Sequence, residues 1–112
     1  MIVFNTEQSR DIEVSPKNSG DVRVKFYYVK NNSNQVVYVQ FFSESESHIS
    51  IGDVPQRTFV LRPFESIDHN KHNIYHDIFK KGLRIGLSDR PRTFYHLNNY
   101  LDWDLEVQYE AI

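Results

Sequence analysis

The segment HNKHNIYH, residues 69 to 76, holds three of the chain's five histidines and is the first place where residue types and spacing could do chemistry. On a helix, His69, His72 and His76 at i, i+3 and i+7 would share one face and could converge on a zinc or nickel ion. The cationic clusters FKKGLR and DRPR could meet phosphate, and Asp102 with Asp104 could form an acid/base pair. Each of these chemistries depends on the element that positions the residues.

A helix over residues 69 to 76 would need an apolar face, yet only Ile74 and Tyr75 are apolar there, and they are adjacent. Asp68, Asn70 and Asn73 are turn formers, so residues 65 to 73 read as a loop. A short strand carrying Ile74, Tyr75, Ile78 and Phe79 is expected to follow. In an extended segment His72 and His76 share a side, but His69 does not. The histidines are therefore expected to be exposed loop residues, and no metal ligand is assigned. A small metal-dependent enzyme using His72 and His76 is the rival reading.

The other catalytic patterns are missing from the sequence. There is no cysteine nucleophile, no G-x-S-x-G elbow, no phosphate-cradling glycine loop and no H-E-x-x-H. Asp102 and Asp104 alternate with apolar residues, which is the pattern of a solvated sheet face. The expectation is a protein that is not an enzyme, with no catalytic residues and no cofactor.

Thirteen basic and fifteen acidic residues give a formal charge of −2 with the signs interspersed, which is no footprint for a nucleic-acid backbone. No apolar run approaches the roughly 20 residues of a membrane-spanning helix. The start MIVFNTEQSRD lacks a basic region followed by an apolar one, so Sec export is not expected. Neither nucleic acid nor membrane is an expected partner.

Aromatic residues make up 14% of the chain, while Ala111 is its single alanine. That bias favours pleated, half-buried surfaces over helices. In DVRVKFYYV, Val22, Val24, Phe26 and Tyr28 alternate with Arg23, Lys25 and Tyr27. QVVYVQFF follows after the polar turn KNNSN, so the two read as a hairpin. HISI sets Ile49 and Ile51 in phase, and RTFVLRPF offers Phe59 and Leu61 before Pro63 ends the run. GLRIGL puts Leu83, Ile85 and Leu87 on one side, with Gly82 and Gly86 suiting close backbone approach or a bulge. In DWDLEVQYE, Trp103, Leu105, Val107 and Tyr109 point one way and the polar residues the other. With MIVF and DIEV this gives seven to eight strands in one all-β antiparallel sandwich, Ig-like or jelly-roll-like, spanning residues 1 to 112. Ile2, Val3 and Phe4, within residues 1 to 10, could instead form an arm laid on a neighbour's sheet edge.

The order of blocks in this sequence resembles a small β-sandwich domain of tailed-bacteriophage virion structural proteins. The matching residues are Tyr38, Val39, Phe41 and Phe42, then Gly52, Asp53, Val54 and Pro55. A later block follows in Ile74, Phe79, Gly82, Leu83, Ile85, Gly86 and Leu87, and the last strand matches at Leu105, Val107 and Tyr109. The resemblance covers about residues 22 to 110. The chain departs from the pattern at FESIDHNKHNIYHDIF and SDRPRTFYHLNNYLDW, both in connections where partner contacts are normally made.

The resemblance implies a virion location and a non-enzymatic capsid decoration or auxiliary head protein, homo-oligomeric and bound to the major capsid protein. A tail or collar accessory protein, with tail or collar partners, is one alternative. A carbohydrate- or receptor-binding module with a glycan ligand is another. For contacts, the 90 to 100 loop offers aromatic residues flanked by arginine: Phe94, Tyr95 and Tyr100 with Arg90 and Arg92. The competing expectation is that Phe94 and Tyr100 cap the end of the sandwich.

Overall fold

A computed structural model of the chain describes residues 2–5, 11–44, 49–69, 78–95, 97 and 101–112. Nine strands appear among them, with one 3-10 turn at Lys17–Ser19 and no α-helix. They are β1 (Ile2–Asn5), β2 (Asp11–Ser15), β3 (Val22–Asn31), β4 (Val37–Ser43), β5 (Arg57–Leu61), β6 (Ser66–Asp68), β7 (Ile78–Phe79), β8 (Leu83–Ser88) and β9 (Trp103–Ala111).

The strands form two antiparallel sheets packed as a β-sandwich. Sheet A runs β1-β9-β3-β6, with β7 pairing the other end of β3, and sheet B runs β2-β8-β4-β5. One apolar cluster fills the space between them, with Val22, Val24, Tyr27 and Val29 from β3 and Trp103, Leu105 and Val107 from β9. Val37, Val39 and Phe41 of β4 and Leu83, Ile85 and Leu87 of β8 meet them from sheet B. The Tyr27 ring stacks on Phe59 at 5.5 Å and meets Phe41 edge-on at 5.6 Å, and the Tyr109 hydroxyl crosses the sandwich to donate to the Val14 carbonyl at 3.1 Å. Burial, joined by the charge of Asp68, pushes the Tyr27 phenol well above the usual tyrosine range.

Trp103, Leu105 and Val107 face the core and Tyr109 packs against it, as their alternation requires. Strand β3 departs from its expected phase. Val24 pairs with Tyr109 but Phe26 pairs with Gln108, so Lys25 is the extra residue of a β-bulge. Past the bulge the alternation flips. Tyr27 and Val29 are buried, whereas Phe26 and Tyr28, expected inside, are only half-buried.

Four further expectations are corrected. The expected hairpin of DVRVKFYYV and QVVYVQFF does not form: β3 lies in sheet A and β4 in sheet B, so the polar turn between them carries the chain from one sheet to the other. Ile49 and Ile51 do not form a strand, because a turn begins there: Gly52 takes φ +95°, Ile49 is buried and Ile51 is exposed. The 65 to 73 segment is not loop throughout, since β6 pairs with Tyr28, Val29 and Lys30 and buries Ile67. Ile2, Val3 and Phe4 are not a detached arm. They belong to β1, which pairs with β9 of the same chain from Ile2 opposite Gln108 to Asn5 opposite Leu105. The expected short strand is β7, while Ile74 and Tyr75 lie outside the described residues.

Gly82 shows the close approach expected of it. Its φ is +98°, and a Cβ there would stand 2.5 Å from the Ser15 carbonyl oxygen. Only glycine lets β8 start this near β2.

Candidate interaction surface

The outer face of sheet B is roofed by two loops, and that roof contains most of the residues singled out for contact. Its base is unusual in that every residue of β8 is buried. Leu83, Ile85 and Leu87 face the core, while Arg84, Gly86 and Ser88 lie on the opposite side of the strand. Arg84 is held there by Asp11 at 2.8 Å and Glu13 at 3.3 Å, both from the neighbouring β2. On β4 the outward positions hold Tyr38, which is half-buried, and Gln40 and Phe42, which are buried.

A small apolar cluster of Phe42, Ile49 and Phe94 pins the roof to the sheet, with the Phe42 and Phe94 rings edge-on at 5.8 Å. The two loops are also stitched together through their backbones. Gly52 donates to the Phe94 carbonyl at 2.9 Å, and Phe94 donates to the Asp53 carbonyl at 2.8 Å. Asp53 closes its own turn by accepting from the Ser50 amide at 2.9 Å.

Beside this cluster sits a polar hub. The Ser88 hydroxyl accepts from the Arg90 amide at 3.1 Å and the Tyr95 amide at 2.9 Å, and donates to the Thr93 carbonyl at 3.4 Å. Gln40 Nε2 donates to the Arg90 carbonyl at 2.9 Å. These bonds fold residues 88 to 95 back over sheet B in one fixed shape. A loop with its backbone bonded this way loses little entropy when a partner binds.

The predicted contact residues divide within this frame. Arg90 is exposed, and its guanidinium lies 4.3 Å from the centre of the half-buried Tyr95 ring, a cation–π geometry. Arg92 is exposed. Phe94 is corrected: it is 0% exposed and serves as the pin of the roof, which is the capping role. Tyr100 lies outside the described residues. Two contact candidates were missed by the sequence reading, Ile51 at 59% and Val54 at 75% exposure, set on the turn bonded to Phe94. Together Arg90, Arg92, Tyr95, Ile51 and Val54 make a mixed aromatic, aliphatic and cationic surface on two joined loops. Gln40 and Ser88 were missed too, although a lone glutamine inside the apolar run VYVQFF was a signal that the outer face of this strand is covered.

The outer face of sheet A is different. Arg23 pairs across the strands with Glu110 at 3.2 Å, and Lys25 approaches the same carboxylate at 3.9 Å. At the bulge, Arg23, Val24, Lys25, His69 and Glu110 line a shallow groove of about 270 Å³. His69 is half-buried at the end of β6, its amide donating to the Tyr27 carbonyl at 3.1 Å and its ring 6.3 Å from that of Phe26. His72 and His76 lie outside the described residues, and among the described ones no group of three or more His, Cys, Asp or Glu side chains could hold a metal ion. No family model, no curated protein and no solved structure matches the chain.

Proposed function

We propose that the chain is a non-enzymatic virion structural protein of a tailed bacteriophage, acting as a capsid decoration or auxiliary head protein on the assembled particle. The observation that carries this reading is the loop surface over sheet B. Interfaces favour aromatic residues and arginine, and here Arg90, Arg92 and Tyr95 stand on a loop held in shape by Gln40, Ser88 and buried Phe94. The order of sequence blocks from about residue 22 to residue 110 supports the same reading. Repetition on a symmetric lattice would make many modest contacts of this kind effective together.

A sugar-binding role is less well supported. Trp103, the only indole, is fully buried, and one face of the Tyr95 ring is already covered by Arg90. Stacking on a sugar needs an open ring face.

The test is quantitative mass spectrometry of gradient-purified particles, scoring copies of this protein against the major capsid protein. A ratio set by the capsid lattice is the expected result. A handful of copies per particle would move the protein to the tail or collar, and absence from particles would overturn the virion reading.

A further inference from the structure

Beyond β5 the chain makes a tight turn, Arg62-Pro63-Phe64-Glu65, closed by the Glu65 amide donating to the Arg62 carbonyl at 3.1 Å. Proline suits the second position of such a turn, and the third, Phe64, takes φ +61°. A left-handed residue at the third position is normally glycine or asparagine. Phenylalanine is poorly suited to it, because a bulky side chain makes positive φ costly.

Burial does not offset that strain, since Phe64 is 61% exposed. The backbone is forced into place by its surroundings instead. The Phe64 amide donates to the Ser33 carbonyl at 3.2 Å, and the Asn31 amide donates to the Glu65 carbonyl at 2.9 Å. Glu65 Oε1 accepts from the Arg62 amide at 3.0 Å. The buried Asn31 side chain donates to the carbonyls of Gln35 at 2.6 Å and Arg62 at 3.1 Å, which ties this turn to the connection between β3 and β4. On that connection stands a second apolar side chain, Val36, 49% exposed.

Glycine or asparagine would complete the same turn with less strain, so the turn itself does not call for an aromatic ring. A local rule broken without a gain to the fold points to a contact made outside it.

We propose that Phe64 is an anchor that enters an apolar pocket of a protein partner, with Arg62 beside it meeting a carboxylate at the pocket's rim. The exposed ring and Val36 set the apolar part of that complement. Arg62 sets the charged part: its side chain is exposed and, among the described residues, has no ion-pair partner. An aromatic residue with an arginine beside it is the composition of an interface hot spot. The backbone that carries the ring is already fixed, so docking orders little of the chain. The inference rests on the virion reading for the identity of the partner, the major capsid protein, and adds a contact to the loop surface over sheet B.

The test adds the purified chain to particles assembled without it and counts bound copies by quantitative mass spectrometry after a gradient. Phe64→Asn keeps the turn and removes the ring. It should lower the bound copies about tenfold or more at equal chain concentration, while the melting temperature of the free chain holds or rises. Arg62→Ala should lower them about threefold. Ile112→Asn, exposed at the end of the chain beyond β9, should leave them unchanged. A Phe64→Asn chain that binds as well as wild type overturns the inference and leaves the virion reading standing. One that melts below wild type overturns it too, because the ring then serves the fold. Unchanged binding by Arg62→Ala overturns the acidic rim. A wild-type chain that does not bind particles removes the virion reading and this partner with it.

Discussion

The two outer faces of the sandwich are built from strands of the same kind and have opposite fates. On sheet A the outward positions of β9 are Asp104, Glu106, Gln108 and Glu110, and those of β3 past the bulge include Tyr28 and Lys30. The register sets Lys30 opposite Asp104 and Arg23 opposite Glu110, so opposite charges are neighbours across the strands and the face stays open. On sheet B the outward positions of β8 and β4 are Arg84, Gly86, Ser88, Tyr38, Gln40 and Phe42, and all but the half-buried Tyr38 are buried. Small residues leave room for loops to lie down, a phenylalanine gives them something apolar to grip, and one glutamine and one serine satisfy the backbone they bring. Alternation builds the core side of a sheet, and the chemistry of the outward residues decides whether the other side carries a third layer.

This contrast should appear in stability. Phe94→Ala removes the pin of the roof and should cost about 3 kcal/mol, the low end for a buried phenylalanine because the three-residue cluster can partly collapse. Urea unfolding of the full chain measures it, and a cost under about 1 kcal/mol would mean that the roof is not part of the cooperative unit. Arg84→Ala leaves the Asp11 and Glu13 carboxylates facing each other without their cation. A loss of about 2 kcal/mol is expected, smaller than for a fully buried pair since Glu13 is partly exposed.

Ser88→Ala strips an acceptor from two backbone amides at once and should cost about 1 to 2 kcal/mol. Its sharper signature is hydrogen exchange: the Tyr95 amide should lose protection while the Val107 amide in the centre of β9 keeps it. Unchanged exchange at Tyr95 would show that the hub does not hold the loop. Glu110→Gln on the open face is the smallest, about 0.5 kcal/mol or less, because its pairs with Arg23 and Lys25 are well exposed. The loss should shrink further in high salt.

Much of the architecture was legible because most strands obey a two-residue period. Trp103 to Tyr109 and Leu83 to Leu87 could be placed on the core face from type alone, and Pro63 marked the end of β5. What the sequence hid came from places where one residue serves two surfaces. Phe94, between arginines and another aromatic, looks the same whether it faces solvent or Phe42, and only the tertiary contact with sheet B decides. Ile49 and Ile51 share a strand-like phase, yet a glycine in the left-handed region bends the chain so that one is buried and the other is not. The brevity of β6 hid it among turn formers, since Ile67 is its only core residue. Of the contact surface, the arginines and Tyr95 could be chosen in advance. Ile51 and Val54 could not, because their exposure follows from the path of a turn.

The bulge at Lys25 has a consequence for how this chain tolerates editing. Written without Lys25, β3 becomes Val22, Arg23, Val24, Phe26, Tyr27, Tyr28, Val29, Lys30 and Asn31, an unbroken alternation that sends the same side chains inward as the intact strand does. A single-codon deletion there would remove a residue from the longest of the described strands and leave the register of its core undisturbed. At almost any other position in that strand, the same deletion would turn half of the strand inside out.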